Sequence, residues 1–117
     1  MDKPRLLIVD DEEGIRSALE RWFRLRGFDV DEAAGGAEAV EKCRETPYDA
    51  ITMDLDMPGM GGLEAIEALR KYQPKVPIIV LTGYARDGQD ASTYDAAKVL
   101  CKPIRLQVLE NHIRELI

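Results

Sequence analysis

Six side chains combine acid, hydroxyl and ammonium chemistry at positions that can converge. Asp10 and Asp11 follow the apolar run Leu6-Leu7-Ile8-Val9, and Asp54 and Asp56 follow Ala50-Ile51-Thr52-Met53. Thr82 follows Ile78-Ile79-Val80-Leu81, and Lys102, with Pro103 behind it, follows Lys98-Val99-Leu100-Cys101. Carboxylates crowded together cannot all stay ionised unaided. Two unit charges 4 Å apart repel by about 4 kcal/mol at an effective dielectric of ~20. Either one of them takes a proton or a cation is bound. Hard oxygen ligands with open positions suit Mg²⁺, and Lys102 adds a fixed positive charge. A divalent ion and a lysine together can hold the oxygens of a phosphoryl group in transfer. Thr82 offers such a group a hydroxyl donor, and Asp54 offers phosphorus a carboxylate oxygen. The glycine-rich stretch Met57-Pro58-Gly59-Met60-Gly61-Gly62 lets the backbone bend around the site, where a carbonyl can also meet the metal.

These groups meet only if the elements carrying them are arranged for it. The short apolar run Leu6–Val9 reads as a strand covered on both faces. Ile15, Ala18, Leu19, Trp22 and Phe23 recur at helical spacing before Gly27. Phe28-Asp29-Val30-Asp31 alternates as an edge strand does. Ala37 to Arg44 reads as a second helix ended near Thr46-Pro47, and Ala50 to Met53 as a third strand. Leu63, Ile66 and Leu69 mark a third helix ended before Pro74. Val76 to Leu81 is a fourth strand, its proline near the start where a missing N–H does least harm. A weak helix is expected around Asp90 to Ala96, then a fifth strand over Lys98 to Cys101. Ile104, Val108, Leu109, Ile113 and Leu116 stripe a last helix. Strands alternating with helices predict an α/β fold: a five-stranded parallel sheet, doubly wound as (βα)₅ and flavodoxin-like. Ligands of such sheets bind beyond the carboxyl ends of the strands. All six side chains fall there.

The bulk properties narrow the function. A chain of 117 residues with 45% hydrophobic residues fits one domain, 1–117, that buries a true core. The net charge of -6 argues against direct nucleic-acid binding, which needs a basic face. No apolar run approaches the ~20 residues of a membrane span, and Leu6–Val9 is too short for a signal-peptide core. Cys43 and Cys101 fit no metal-binding spacing and are expected to be small buried or half-buried hydrophobes in a reducing cytoplasm.

The residues quoted above, in their order and at their strand ends, resemble the receiver domains of two-component response regulators (the CheY-like superfamily). Asp10-Asp11, Asp54 with MPGMGG behind it, Thr82 and Lys102-Pro103 match that family's motifs, and 27-GFDVDEAAGGAEAVE-41 looks like its second strand and helix. The resemblance covers nearly the whole chain. It implies that Asp54 is the phosphoacceptor, taking phosphate from a sensor histidine kinase or phosphotransfer protein. Asp11, Asp54 and the Asp56 backbone carbonyl would ligate Mg²⁺, with Asp10 acting mostly through water. Lys102 would pair with a phosphoryl oxygen, and the Lys102–Pro103 bond would be cis. Thr82 would swing toward the phosphoryl group and alter the face made by the fourth helix, fifth strand and fifth helix. A fused or separate effector would read that face; a homodimer through those helices is an open alternative. The chain also departs from the family. Val99 replaces the usual aromatic three residues before the lysine, with Tyr84 or Tyr94 as candidates for its part. Gly61 stands where Asp is frequent, and Asp95 where Gly is usual. Thr82 to Lys102 is two residues shorter than in many members, so the fourth helix is expected to be short or displaced. Asp56 and Tyr84 occupy two positions that tune phosphate lifetime. The expected molecule is no turnover enzyme and works in the cytoplasm. With nothing beyond Ile117, it is a stand-alone regulator or a receiver cut from a longer protein.

Plainer readings apply to several residues. Glu12 and Glu13 suit the first turn of a helix, where acids favour the dipole. Trp22 and Phe23 belong to the core, His112 is expected to be exposed, and Met57 and Met60 to pack under the site loop or face a partner. Asp56 could turn its side chain to solvent and use only its carbonyl. Two rival functions remain. Asp54-Leu55-Asp56 is a DxD like that of haloacid-dehalogenase-type phosphatases, although there the pair usually follows the first strand of a longer chain. A non-phosphorylated interaction module of the same fold is the other. Flavin binding is excluded by the acidic run after the first strand.

Overall fold

A computed structural model describes residues 2–83 and 91–117. Tyr84 and the start of the weak helix predicted from Asp90 lie outside the described residues. Five strands form in the predicted order: β1 (Arg5–Val9), β2 (Asp29–Ala33), β3 (Ala50–Asp54), β4 (Ile78–Thr82) and β5 (Lys98–Cys101). They make one parallel sheet ordered β2-β1-β3-β4-β5. The chain leaves β1 toward β2 on one side and returns to β3 on the other. The switch point therefore lies between the carboxyl ends of β1 and β3, beside the acidic residues.

Alternation along the strands assigns each side chain to one of two cores. Leu7, Val9, Ile51, Met53, Ile78 and Val80 pack with Ala39 and Cys43 of α2 (Gly36–Glu45) and Ala65, Ile66 and Leu69 of α3 (Gly62–Leu69). Leu6, Ile8, Ala50, Ile79 and Leu81 pack with Leu19 and Phe23 of α1 (Glu13–Leu25) and Leu109 and Ile113 of α4 (Leu106–Leu116). Trp22 is only half-buried, and its indole N–H donates to Glu110 Oε1 at 3.0 Å. Glu110 is itself buried and also holds Arg26 and Arg114, so α1 and α4 are joined by a charged clamp.

Among the described residues between β4 and β5, the predicted helix takes the form of a 3₁₀ turn, Ala91–Tyr94. Arg70 at the end of α3 anchors the chain on either side of β4. Its guanidinium donates to the carbonyls of Gln73 (3.2 Å), Val76 (2.7 Å) and Asp95 (2.6 Å). Its Nε also lies 3.2 Å from Asp95 Oδ2, an ion pair not aligned as a hydrogen bond. Asp95 has φ +54°, the left-handed conformation that Gly takes without cost and Asp tolerates better than most residues. Tyr94 and Val99 both pack onto the α2/α3 core.

Three smaller expectations need correction. His112 is half-buried: its Nδ1 lies 2.7 Å from Lys98 Nζ, which reaches out from β5 and also pairs with Glu115. Cys43 is buried as predicted, but Cys101 ends the edge strand β5 and is exposed. Leu63 and Val108, counted in the apolar stripes of their helices, are exposed as well.

Candidate functional site

The strand ends deliver the acidic residues to one point. Asp54 closes β3 with its side chain 2% exposed, and Asp10 immediately follows β1 with the same exposure. One carboxylate oxygen from each of Asp10, Asp11 and Asp54 lies within 4.8 Å of the others, while Asp11 itself is exposed. Lys102 comes in from the end of β5. Its Nζ is 2.8 Å from Asp54 Oδ1 and 3.8 Å from Asp10 Oδ2. The Lys102–Pro103 bond is cis, as expected. The backbone N–H of Lys102 donates to the Thr82 carbonyl at 2.9 Å and fixes the lysine against β4.

The loops are locked by their own acids. Asp10 Oδ1 accepts the Glu12 N–H at 2.9 Å, which holds the entry to α1. Asp54 Oδ1 accepts the Asp56 N–H at 2.9 Å in the same i, i+2 pattern. Gly62 lets α3 start hard against this turn, because a Cβ there would stand 2.8 Å from the Asp54 carbonyl and 2.6 Å from Leu55 Cδ2. Met57 and Met60 pack under the loop onto the α2/α3 core.

Electrostatics follow from this crowding. Burial is the main force raising the Asp10 pKa above its ordinary value; the charges of Asp54 and Asp11 add to it, and the Glu12 N–H and Lys102 only partly offset it. Burial works against the charged form of Lys102, but the hydrogen bond and charge of Asp54, then Asp10 and Asp56, outweigh it and raise its pKa. One ammonium thus faces several carboxylates. Oxygen donors with surplus negative charge are what a small divalent cation such as Mg²⁺ requires, so the residues present fit that ion.

Asp56 is the surprise. Its side chain does not simply face solvent: Thr82 Oγ1 donates to it at 3.1 and 3.3 Å from its two oxygens, and the Gly83 N–H donates to Oδ2 at 2.9 Å. Thr82 is buried at the end of β4, and Asp56 stands outside the three-carboxylate cluster. Sequence reasoning also missed Arg16. Its Nη1 donates to the Asp10 carbonyl at 2.7 Å, and its Nε pairs with Glu32 at 3.4 Å, tying the β1 loop to the edge strand. Its place one turn into α1, after the acidic pair, was the available signal. An apolar cleft of about 320 Å³ opens beside Asp10 and Lys102, lined by Ile15, Leu19, Leu81, Pro103 and Ile104.

Comparison with known proteins agrees with this geometry. The response regulator receiver domain family matches residues 6–114. The transcriptional regulatory protein PrrA of Mycobacterium leprae is 35% identical over 119 residues, covering 100% of this chain and 51% of PrrA. The sensor protein EvgS of Escherichia coli is 36% identical over 117 residues, 98% of this chain and 10% of EvgS. The chain therefore spans about half of one relative and a tenth of the other. Among solved structures, the response regulator TrrA of Thermotoga maritima in complex with Mg²⁺ and BeF superposes with a TM-score of 0.86 at 33% identity, over 97% of this chain and 99% of TrrA. With fold, motif order and sequence in agreement, the chain belongs to the receiver domain family of two-component response regulators.

Proposed function

We propose that this domain takes a phosphoryl group onto Asp54 from the phosphohistidine of a sensor histidine kinase or phosphotransfer protein. The observation that carries the reading is the 2.8 Å contact of Lys102 Nζ with Asp54 Oδ1 inside a cluster of three carboxylates at the switch point. A carboxylate oxygen of Asp54 attacks phosphorus, the bond from phosphorus to the donor imidazole breaks, and the imidazole leaves with its electron pair. Lys102 meets the negative charge on the phosphoryl oxygens, and Thr82 supplies a hydroxyl donor. Asp10, Asp11 and Asp54, with the Asp56 carbonyl, would hold Mg²⁺, which when bound neutralises part of that charge. The apolar cleft beside Lys102 is where we seat the donor's apolar side chains.

The acyl phosphate adds about -1.5 to -2 charge at the strand ends and biases the surface made by residues 91–94, β5 and α4. Tyr94 and Val99, packed on one core, take the place of the aromatic usually found before the lysine. A fused or separate effector reads that surface. The cycle is self-catalysed transfer and hydrolysis in the cytoplasm, not turnover of a free substrate. Incubation with acetyl phosphate and Mg²⁺ is expected to add one phosphoryl mass, lost in Asp54→Asn. No mass gain refutes the reading in favour of a pure interaction module, and steady multiple turnover of small phosphoesters refutes it in favour of a phosphatase.

A further inference from the structure

Asp56 carries a charge that solvent would readily accommodate, since the residue is exposed. Its carboxylate is nevertheless turned inward, across the gap from the end of β3 to the end of β4. There it takes the two donors that β4 presents, the Thr82 hydroxyl (3.1 and 3.3 Å) and the Gly83 N–H (2.9 Å). Charge-assisted hydrogen bonds of this kind are about twice as strong as neutral ones. The Asp56 backbone cannot drift away, because its N–H is held by Asp54 Oδ1 at 2.9 Å. A phosphoryl group on Asp54 would bring its own anionic oxygens to this same edge.

We propose that the Asp56 carboxylate is an internal stand-in for the phosphoryl group, occupying the Thr82 and Gly83 donors until an anion on Asp54 displaces it. The inference rests on Asp54 being the phosphoacceptor. New negative charge on Asp54 repels the Asp56 carboxylate, while Thr82 and Gly83 transfer to the phosphoryl oxygens. Asp56 is then a positioning residue with two effects. It holds the end of β4 in one arrangement at rest, and it makes every phosphoryl-like ligand compete for the donors. The competition needs an acid here: a neutral side chain would meet the same donors without the repulsion that releases them.

Beryllium fluoride at saturating Mg²⁺ is the probe, titrated into wild type, Asp56→Ala and Asp56→Asn and followed by amide NMR. Without fluoride, the Gly83 amide is expected to move upfield in Asp56→Ala as its acceptor is lost. With fluoride, Asp56→Ala is expected to bind about tenfold more tightly, the equilibrium value of one charged hydrogen bond. Asp56→Asn, which keeps an acceptor but loses the charge, should fall between. Losing a carboxylate weakens Mg²⁺ binding, so a tighter complex runs against the side effect of the substitution. An unmoved Gly83 amide, or equal or weaker fluoride binding in Asp56→Ala, overturns the proposal. A wild-type chain that neither binds the fluoride nor gains mass on Asp54 overturns the phosphoacceptor reading itself. The Gly83 resonance, read without fluoride, tells the two failures apart.

Discussion

Replacing Asp10 by asparagine should make the metal-free protein more stable. The Asp10 carboxylate has an oxygen within 4.8 Å of those of Asp54 and Asp11, and Oδ2 lies 3.8 Å from Lys102 Nζ. At an effective dielectric of ~20, each like-charge pair at that spacing costs about 3.5 kcal/mol and the lysine returns about 4.4 kcal/mol. The Asp11 share shrinks because that residue is exposed, so the charges nearly cancel. What remains is the burial of an ionised carboxylate at 2% side-chain exposure. The raised pKa of Asp10 has the same origin. Asparagine keeps an oxygen for the Glu12 N–H and removes the charge, a gain of about 1–2 kcal/mol, or about 4–8 °C in Tm. The direction of the shift sets the sign with pH. Below the ordinary value of 3.8, Asp10 is protonated folded and unfolded, and the variant gains nothing. As pH rises through the higher folded pKa, the wild type loses stability relative to the variant, and above it the gap is complete. Magnesium narrows the gap: for a Kd of about 1 mM, 10 mM Mg²⁺ stabilises the wild type by about 1.4 kcal/mol, and the variant, with one carboxylate fewer in the cluster, by less. Thermal melts at neutral pH in EDTA and in Mg²⁺ check both halves. A variant no more stable than wild type in EDTA, or a gap unchanged by Mg²⁺, refutes the reasoning.

Two further outcomes test how the site is supported. Gly62→Ala should cost about 2 kcal/mol or more, since its Cβ would meet the Asp54 carbonyl at 2.8 Å; urea titration measures the loss, and a cost near zero refutes the close approach. Burial pushes the Glu110 pKa up, but Arg114, Trp22 and Arg26 overcome it and hold it below 4.5. Glu110→Gln should therefore cost about 1–2 kcal/mol at neutral pH, limited by the partial exposure of both arginines. Stability from a depressed carboxylate is present above its unfolded pKa and lost as pH falls through the folded one. The gap to Glu110→Gln should accordingly close in acid, which denaturation at several pH values reads; a gap constant with pH refutes the clamp.

The parts of this molecule legible in its sequence are those that geometry leaves no choice about. A short buried run ends, the next residue stands at the carboxyl edge of a parallel sheet, and Asp10, Asp54, Thr82 and Lys102 meet there whatever the helices do. Side chains that can point two ways were not legible. Cys101 sits at the end of an edge strand, so exposure there is set by the missing neighbour, not by its own type. His112 was judged by its helix alone, yet Lys98 reaches it from β5. Asp95 stands where the resemblance leads one to expect glycine, and its carbonyl and carboxylate are both gripped by Arg70, distant in sequence. Asp56 makes the same point at the site itself. The place of its backbone is set by the position after β3, whereas its side chain depends on where the end of β4 places a hydroxyl and an N–H. A motif fixes where the backbone brings chemistry together; which donor an exposed acid finds there is decided by the neighbouring strand.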